Sequence, residues 1–284
     1  MVKFVLLILS FGLSTLTTLL LHFDEAWKTA VCIVGLGLAY IALIVFLYFM
    51  FAVVATLTIS RKKAPAKYGA FYRKLFNLDG LILLSLFGVK LTVNGLDKIP
   101  TDDNFVLFQN HLSNVDPIFT SYILRKFPLI FVSKASLFKI PFFGKTIQGI
   151  GYVKLTRKAG MNDTSEIIRG LRWVRAGECS LAVYPEGTRN KTYPDPVLLD
   201  FKEQILGIAQ KAEKPIVISA IHGTDKINDK LLFKVHNIQI DILDVIKPEE
   251  YANLTQEELS DKVRKIMLDG INNPLKTKEK GRLY

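Results

Sequence analysis

The stretch Gln109-Asn110-His111-Leu112-Ser113-Asn114-Val115-Asp116-Pro117 sets one of the chain's four histidines five positions before an acid. Imidazole is the side chain that exchanges a proton most readily near neutral pH. A carboxylate that accepts from one ring nitrogen fixes the tautomer and leaves the other nitrogen free to act as a base. Within one helix a His and an Asp at this spacing lie poorly together, but across a strand-to-helix turn their side chains converge. A second reading fits the same residues: Asp116 as a helix N-cap with Pro117 at the first helical position, and His111 simply exposed. The stretch alone leaves both open.

A second polar turn, Tyr184-Pro185-Glu186-Gly187-Thr188-Arg189, follows an apolar run at 180–183. Glycine lets a ligand approach the backbone closely, and arginine presents a planar fork that matches a phosphate. The same composition also makes an ordinary surface turn.

The elements that would position these residues are short apolar runs alternating with helical patterns. Strands are expected at 90–93, 105–109, 129–133, 152–156, 180–184, 216–221 and 235–245. Helices are expected at 117–126, 164–176 and 201–212, and from Thr255 to about Asp269. Asp163 with Glu166, and Thr255 with Glu258, have the spacing of capping boxes. The pattern predicts an α/β fold, a mostly parallel sheet flanked by helices. His111 then stands at the carboxyl end of a strand, the edge where ligands gather in open α/β sheets.

Ahead of this domain run two uncharged stretches, 4–21 of 18 residues and 30–59 of 30 residues. Roughly 20 apolar residues cross a bilayer as a helix. The second stretch is long enough to tilt or protrude. The first is borderline and on its own compatible with a signal peptide; a thin basic flank (Lys3) and no small-residue cleavage pair before His22 favour an uncleaved helix. Asp24, Glu25 and Lys28 lie between the stretches, whereas Arg61, Lys62, Lys63 and Lys67 follow the second. That asymmetry puts the N-terminus and everything after Arg61, the α/β domain included, on the cytoplasmic side of the membrane, with the hairpin tip outside.

The expected organisation is a membrane hairpin over 1–60, a basic linker and amphipathic helix over 61–89, an α/β domain over 90–272, and a polar, frayed tail over 273–284. In the linker helix Phe71, Leu75, Leu78, Ile82 and Leu86 form an apolar stripe, and Arg73, Lys74, Asn77 and Ser85 take the other side. The stripe suits a membrane interface or the domain's own core equally.

Formal net charge is +11, from 37 Lys and Arg against 26 Asp and Glu. A basic domain has two natural partners, nucleic acid or an anionic membrane surface. The hairpin decides for membrane lipids, and no helix-turn-helix, RNP-like or zinc pattern argues for nucleic acid. Cys32 and Cys179 suggest neither a disulfide framework nor a zinc site, and no metal-ligand spacing occurs.

In combination the motifs resemble the glycerolipid acyltransferase family that includes the lysophosphatidic acid acyltransferases. The N-H-x4-D block is matched by Asn110, His111 and Asp116, and the Y-P-E-G-T-R block by residues 184–189. A glycine-headed strand ending in arginine is matched from Gly151 to Arg157. A lysine-led segment appears as Lys134, Leu137, Ile140, Pro141, Phe143 and Gly144. The resemblance runs from about Asp79 to Ile221, in the family's order. Three positions depart from it: Thr156 where an acid is common, Gln204 where glycine follows Phe201-Lys202-Glu203, and Pro215 alone where two prolines are usual.

The resemblance implies acyl transfer to a hydroxyl, with His111 as base and Asp116 as its orienter. It implies substrate contacts at Asn110, Lys134, Arg157, Glu186, Gly187, Thr188 and Arg189, the cations on the acceptor's phosphate and Glu186 bracing the Gly187-Thr188 turn. No metal or bound cofactor is expected; the co-substrate is an acyl-CoA or acyl carrier protein thioester, and the acceptor a lysophospholipid. The expected product is phosphatidic acid, made from 1-acylglycerol-3-phosphate. The alternatives are a related acyltransferase for another lysophospholipid or hydroxyl lipid, and a tethered lipid-binding protein without turnover. Binding alone needs no base with an orienter, which weighs against the last.

Overall fold

The computed structural model describes residues 2–60, 65–86, 88–156, 161–227 and 235–276. Two apolar helices come first, α1 (Val2–Leu21) and α2 (Ala26–Leu57). They run antiparallel along a seam of small and hydroxyl side chains, the residues that let helices approach closely in lipid. Ser10, Ser14 and Thr18 are buried in it, and Ser14 Oγ donates to Ile33 O. Gly37 makes room for the Phe11 ring. Both helices are long and apolar enough to cross a membrane.

These contacts pair α1 with the first part of α2. The 32 residues of α2 span about 48 Å, well beyond a ~30 Å hydrocarbon core. Its C-terminal part serves as a stalk on the folded domain. Tyr48 OH donates to the Asp79 carboxylate, and the Phe49 and Phe142 rings meet edge to face at 5.1 Å.

Helix α3 (Ala70–Leu86) carries Asp79 and turns a different face inward than its apolar stripe predicts. Arg73, expected on the polar side, is 3% exposed, while Phe71 and Leu78 are exposed. The guanidinium donates to Leu129 O at 2.6 Å and to Ser121 O at 3.0 Å. Those carbonyls, at the end of one element and the start of the next, need donors away from water, and Arg73 supplies them.

The domain proper follows as β1 (Val89–Asn94), β2 (Val106–Gln109), α4 (Asp116–Ile123), β3 (Leu129–Lys134) and α5 (Phe143–Ile150). Next come β4 (Val153–Leu155), α6 (Met161–Arg175), β5 (Ser180–Val183), α7 (Glu203–Ala212) and β6 (Ile216–His222). The chain continues with β7 (His236–Ile246), α8 (Pro248–Tyr251) and α9 (Gln256–Asn272). The seven strands form one sheet in the order β1-β7-β6-β2-β5-β3-β4, parallel at every pairing except β6 with β7. Helices α3, α4 and α5 pack together in one layer, and α6, α7 and α9 in the other. With both faces covered, β2 and β5 are buried along their whole length, which is why they read as unbroken apolar runs.

Local details differ from the sequence expectation in four places. Helix α6 begins before Asp163, so that carboxylate is free to accept the N–H and hydroxyl of Thr156 at 2.9 and 2.8 Å instead of capping. Glu166 pairs with Arg169 at 2.7 Å. Helix α5 has no counterpart in the expected elements. In the supposedly frayed tail, Leu275 N–H is held by the buried Asp241 carboxylate at 3.0 Å. The Thr255–Glu258 capping box does form.

Candidate active site

At the carboxyl end of β2 the ladder is continued by a side chain. The fully buried Asn110 amide donates to Ile221 O at 3.0 Å and accepts from Ile221 N–H at 2.7 Å. Asn110 thus pins β2 to β6, and both polar atoms of its amide are taken up by that pair of bonds.

His111 Nδ1 lies 2.8 Å from Asp116 Oδ2. Asp116 is the first residue of α4, with Val115 as the N-cap. Its carboxylate turns back to accept the N–H groups of Leu112 at 2.7 Å and Ser113 at 2.8 Å. An oxygen that already accepts two backbone donors makes Nδ1 the donor, so Nε2 is left as the basic nitrogen. Asp116 is fully buried while the imidazole keeps 16% of its surface exposed. Of the two readings the stretch allows, this geometry is that of an oriented imidazole.

Three further contacts hold that ring and its backbone. Tyr184 stacks on the imidazole with centroids 4.0 Å apart and planes 16° from parallel. Glu186 Oε1 accepts the His111 N–H at 2.7 Å, and its Oε2 accepts the Leu199 N–H at 3.1 Å. Asn190 N–H donates to His111 O at 2.7 Å. The turn after β5 therefore grips both main-chain polar groups of His111. Glu186 braces the histidine more directly than the Gly187-Thr188 turn assigned to it from sequence. Burial raises its pKa from 4.5 to about 7, against the two backbone donors that favour the carboxylate, and the Asp116 charge adds to the rise.

Beneath the site runs a buried polar chain that sequence reasoning missed. Thr120 Oγ1 donates to Gln109 Oε1 at 2.7 Å, and Gln109 Nε2 donates to Ser219 Oγ at 3.1 Å. It ties α4, which carries Asp116, to β2 and β6. Its only sequence signal is a polar residue, Gln109, closing an apolar strand. For Tyr184 the signal was an aromatic residue just before Pro185.

The remaining expected contacts sit around the edge of this arrangement. Gly187 and Thr188 are exposed, and Gly187 takes a left-handed φ of 65°, which favours glycine. Arg189 is partly buried and Lys134 is exposed, and neither makes a hydrogen bond or ion pair among the described residues. Lys134 ends β3, two strands or roughly 10 Å from β2, at the same sheet edge as His111. Arg157 lies outside the described residues. Cys179, just before β5, has its thiol pushed up to about 12 by burial and lies at the far end of that strand from Tyr184. Proton uptake at Nε2 from a bound hydroxyl is the chemistry this arrangement offers, with no thiol nucleophile beside it.

Comparison with known proteins bears on the same segment. A family model described as Acyltransferase matches residues 90–222. A 1-acyl-sn-glycerol-3-phosphate acyltransferase of Borreliella burgdorferi is 28% identical over 181 residues, covering 61% of this chain and 70% of that protein. The protein so named in Escherichia coli is 29% identical over 65% of this chain and 74% of its own length. The one in Saccharomyces cerevisiae is 30% identical over 62% of this chain and 60% of its own length. The crystal structure of the 1-acyl-sn-glycerophosphate (LPA) acyltransferase PlsC from Thermotoga maritima superposes with a TM-score of 0.62. It is 23% identical and covers 80% of this chain and 88% of that one, a likeness of fold. The segment that matches the Acyltransferase family model holds both polar turns of the site, residues 109–117 and 184–189, and the similarity to 1-acyl-sn-glycerol-3-phosphate acyltransferases recurs across these relatives.

Proposed function

We propose that the protein is a membrane-bound acyltransferase that moves a fatty acyl chain from a thioester donor to the free hydroxyl of 1-acylglycerol-3-phosphate, forming phosphatidic acid. The observation that carries this is the 2.8 Å contact of His111 Nδ1 with buried Asp116, which leaves Nε2 basic at the sheet edge. Nε2 takes the proton of the acceptor hydroxyl as its oxygen attacks the thioester carbonyl. The tetrahedral intermediate collapses with cleavage of the carbon–sulfur bond, and the imidazolium returns the proton to the departing thiolate. Asp116 keeps Nδ1–H in place and offsets the charge on the imidazolium. Transfer is direct, and no acyl-enzyme forms.

Arg189, Lys134 and Arg157 hold the acceptor's phosphate. The donor is acyl-CoA or an acyl carrier protein, and the protein needs no metal or bound cofactor. The α1–α2 hairpin tethers the domain on the cytoplasmic side, where both amphipathic lipids reside in the bilayer. The relatives' names support this acceptor, and the unpartnered Arg189 beside the His111 clamp supports a bound anion.

The test is a panel assay of the purified full chain in mixed micelles. Each lysophospholipid is offered with each class of thioester. The expected result is a strong preference for 1-acylglycerol-3-phosphate. Equal use of acceptors with and without a phosphate monoester contradicts the proposal.

A further inference from the structure

The segment after β5 closes on its own starting point. Lys202 N–H donates to Pro185 O at 2.9 Å, Leu199 N–H to Glu186 Oε2 at 3.1 Å, and Asn190 Nδ2 to Pro196 O at 2.7 Å. This closure lays Lys202 along the polar turn. A Cβ on Gly187 would come 3.2 Å from Lys202 Cγ and 3.9 Å from its Cε. The aliphatic stem therefore crosses the face of Gly187, and the ammonium just beyond Cε is carried beside the turn that ends in Arg189. Glu186, the adjacent residue, is the one that holds the His111 amide.

The charge at this place has no counterpart among the described residues. Lys202 is exposed, and its ammonium makes no ion pair or hydrogen bond among the described residues. Asp200, two residues earlier, is fully exposed and lies 3.7 Å from Arg264. Lys202 is also the N-cap residue of α7, an unfavourable position for a cation because the helix dipole is positive there. Two cations without a partner among the described residues thus flank Gly187, Arg189 two residues after it and Lys202 packed against it, beside the clamp on the candidate base. An anion seated there relieves both.

We infer that Lys202 is a second cation for the acceptor's phosphate, acting beside Arg189, and that the glycine at 187 admits its stem. A phosphate monoester bears close to two negative charges near neutral pH, more than one guanidinium offsets. The two cations contribute differently, Arg189 as a planar fork and Lys202 as a mobile point charge. The inference rests on the reading that the acceptor carries a phosphate.

Lys202→Met keeps the stem's length and its contact with Gly187 while removing the charge; Lys202→Arg restores the charge. Steady-state kinetics are measured on the purified full chain, varying 1-acylglycerol-3-phosphate at saturating acyl thioester, then the reverse. Lys202→Met should raise the acceptor KM roughly 10- to 150-fold, the range expected for losing a contact to a charged group. Its kcat and donor KM should stay near wild type, the melting temperature should not move, and Lys202→Arg should recover most of the KM. An unchanged acceptor KM, a loss confined to kcat, or a rise that Lys202→Arg fails to reverse overturns the role. A wild type that acylates 1-acylglycerol as well as its phosphate overturns the acceptor reading and this role with it. That failure is visible in the wild-type control before any variant is compared.

Discussion

The backbone N–H of His111 donates to the carboxylate of Glu186, 75 residues further along the chain, at 2.7 Å. Two motifs distant in sequence are thereby one device. The turn after β5 fixes where the imidazole of the turn after β2 can stand, and the bond from Asn190 N–H to His111 O completes the grip. The position of this imidazole thus depends on residues carried by a different turn.

Glu186→Gln should therefore slow turnover and change the pH dependence of stability. Glutamine keeps one acceptor oxygen and offers an NH2 group where an acceptor is needed, so one of the two N–H bonds is lost. Displacing the imidazole should reduce kcat by about 10²-fold. Because burial raises the Glu186 pKa from 4.5 to about 7, the folded chain binds this proton more tightly than the unfolded one. The associated stability is fully present below about pH 4.5 and is lost as pH rises through about 7. Denaturation midpoints across that window should fall more steeply for wild type than for Glu186→Gln. Parallel curves, or an undiminished kcat, contradict the brace.

Tyr184→Phe should behave nearly as wild type, since the ring that stacks on His111 is kept. Tyr184→Leu should lose stacking worth about 0.5–1.5 kcal/mol, and with it roughly three- to tenfold in kcat. The comparison is read in initial rates normalised to folded protein. Equal activity of Tyr184→Leu and Tyr184→Phe removes the stack from the account.

Arg73→Met leaves the carbonyls of Leu129 and Ser121 buried without their donor. The expected cost is on the order of 3 kcal/mol, with kcat per folded molecule little altered. Chemical denaturation in detergent measures it, and an unmoved midpoint contradicts the role of this guanidinium.

The contrast between Arg73 and the strands shows what a sequence reveals. All seven strands were legible, the central ones as continuous apolar runs and β1 and β7 as alternating ones, and a His111–Asp116 pair was one of two readings of its stretch because the turn that joins the two groups is short. The inward face of α3 was not, because a buried arginine looks like a surface charge until the carbonyls it serves are known. Asn110, Glu186 and Tyr184 were visible as motif residues, but their partners lie on other strands. Asn110 meets Ile221, and Glu186 and Tyr184 meet His111, contacts that only the strand order creates. The Gln109–Thr120–Ser219 chain was hidden for the same reason.

The orientation proposed from the charge asymmetry is open to labelling. With Cys32 and Cys179 replaced, a cysteine at Asp24 should react with an impermeant thiol reagent added to intact cells. A cysteine at the exposed Asp97 in the folded domain should react only after lysis. The reverse pattern, or equal labelling at both sites, contradicts the proposed topology.

The central claim is that His111 is the base. The most direct measurement is acyl transfer by purified His111→Ala, with a thioester donor and 1-acylglycerol-3-phosphate, alongside a check that it folds and remains membrane-bound. Removing general-base assistance should lower kcat by about 10²- to 10⁴-fold at an unchanged melting temperature. A folded His111→Ala protein that turns over at close to the wild-type rate contradicts the account.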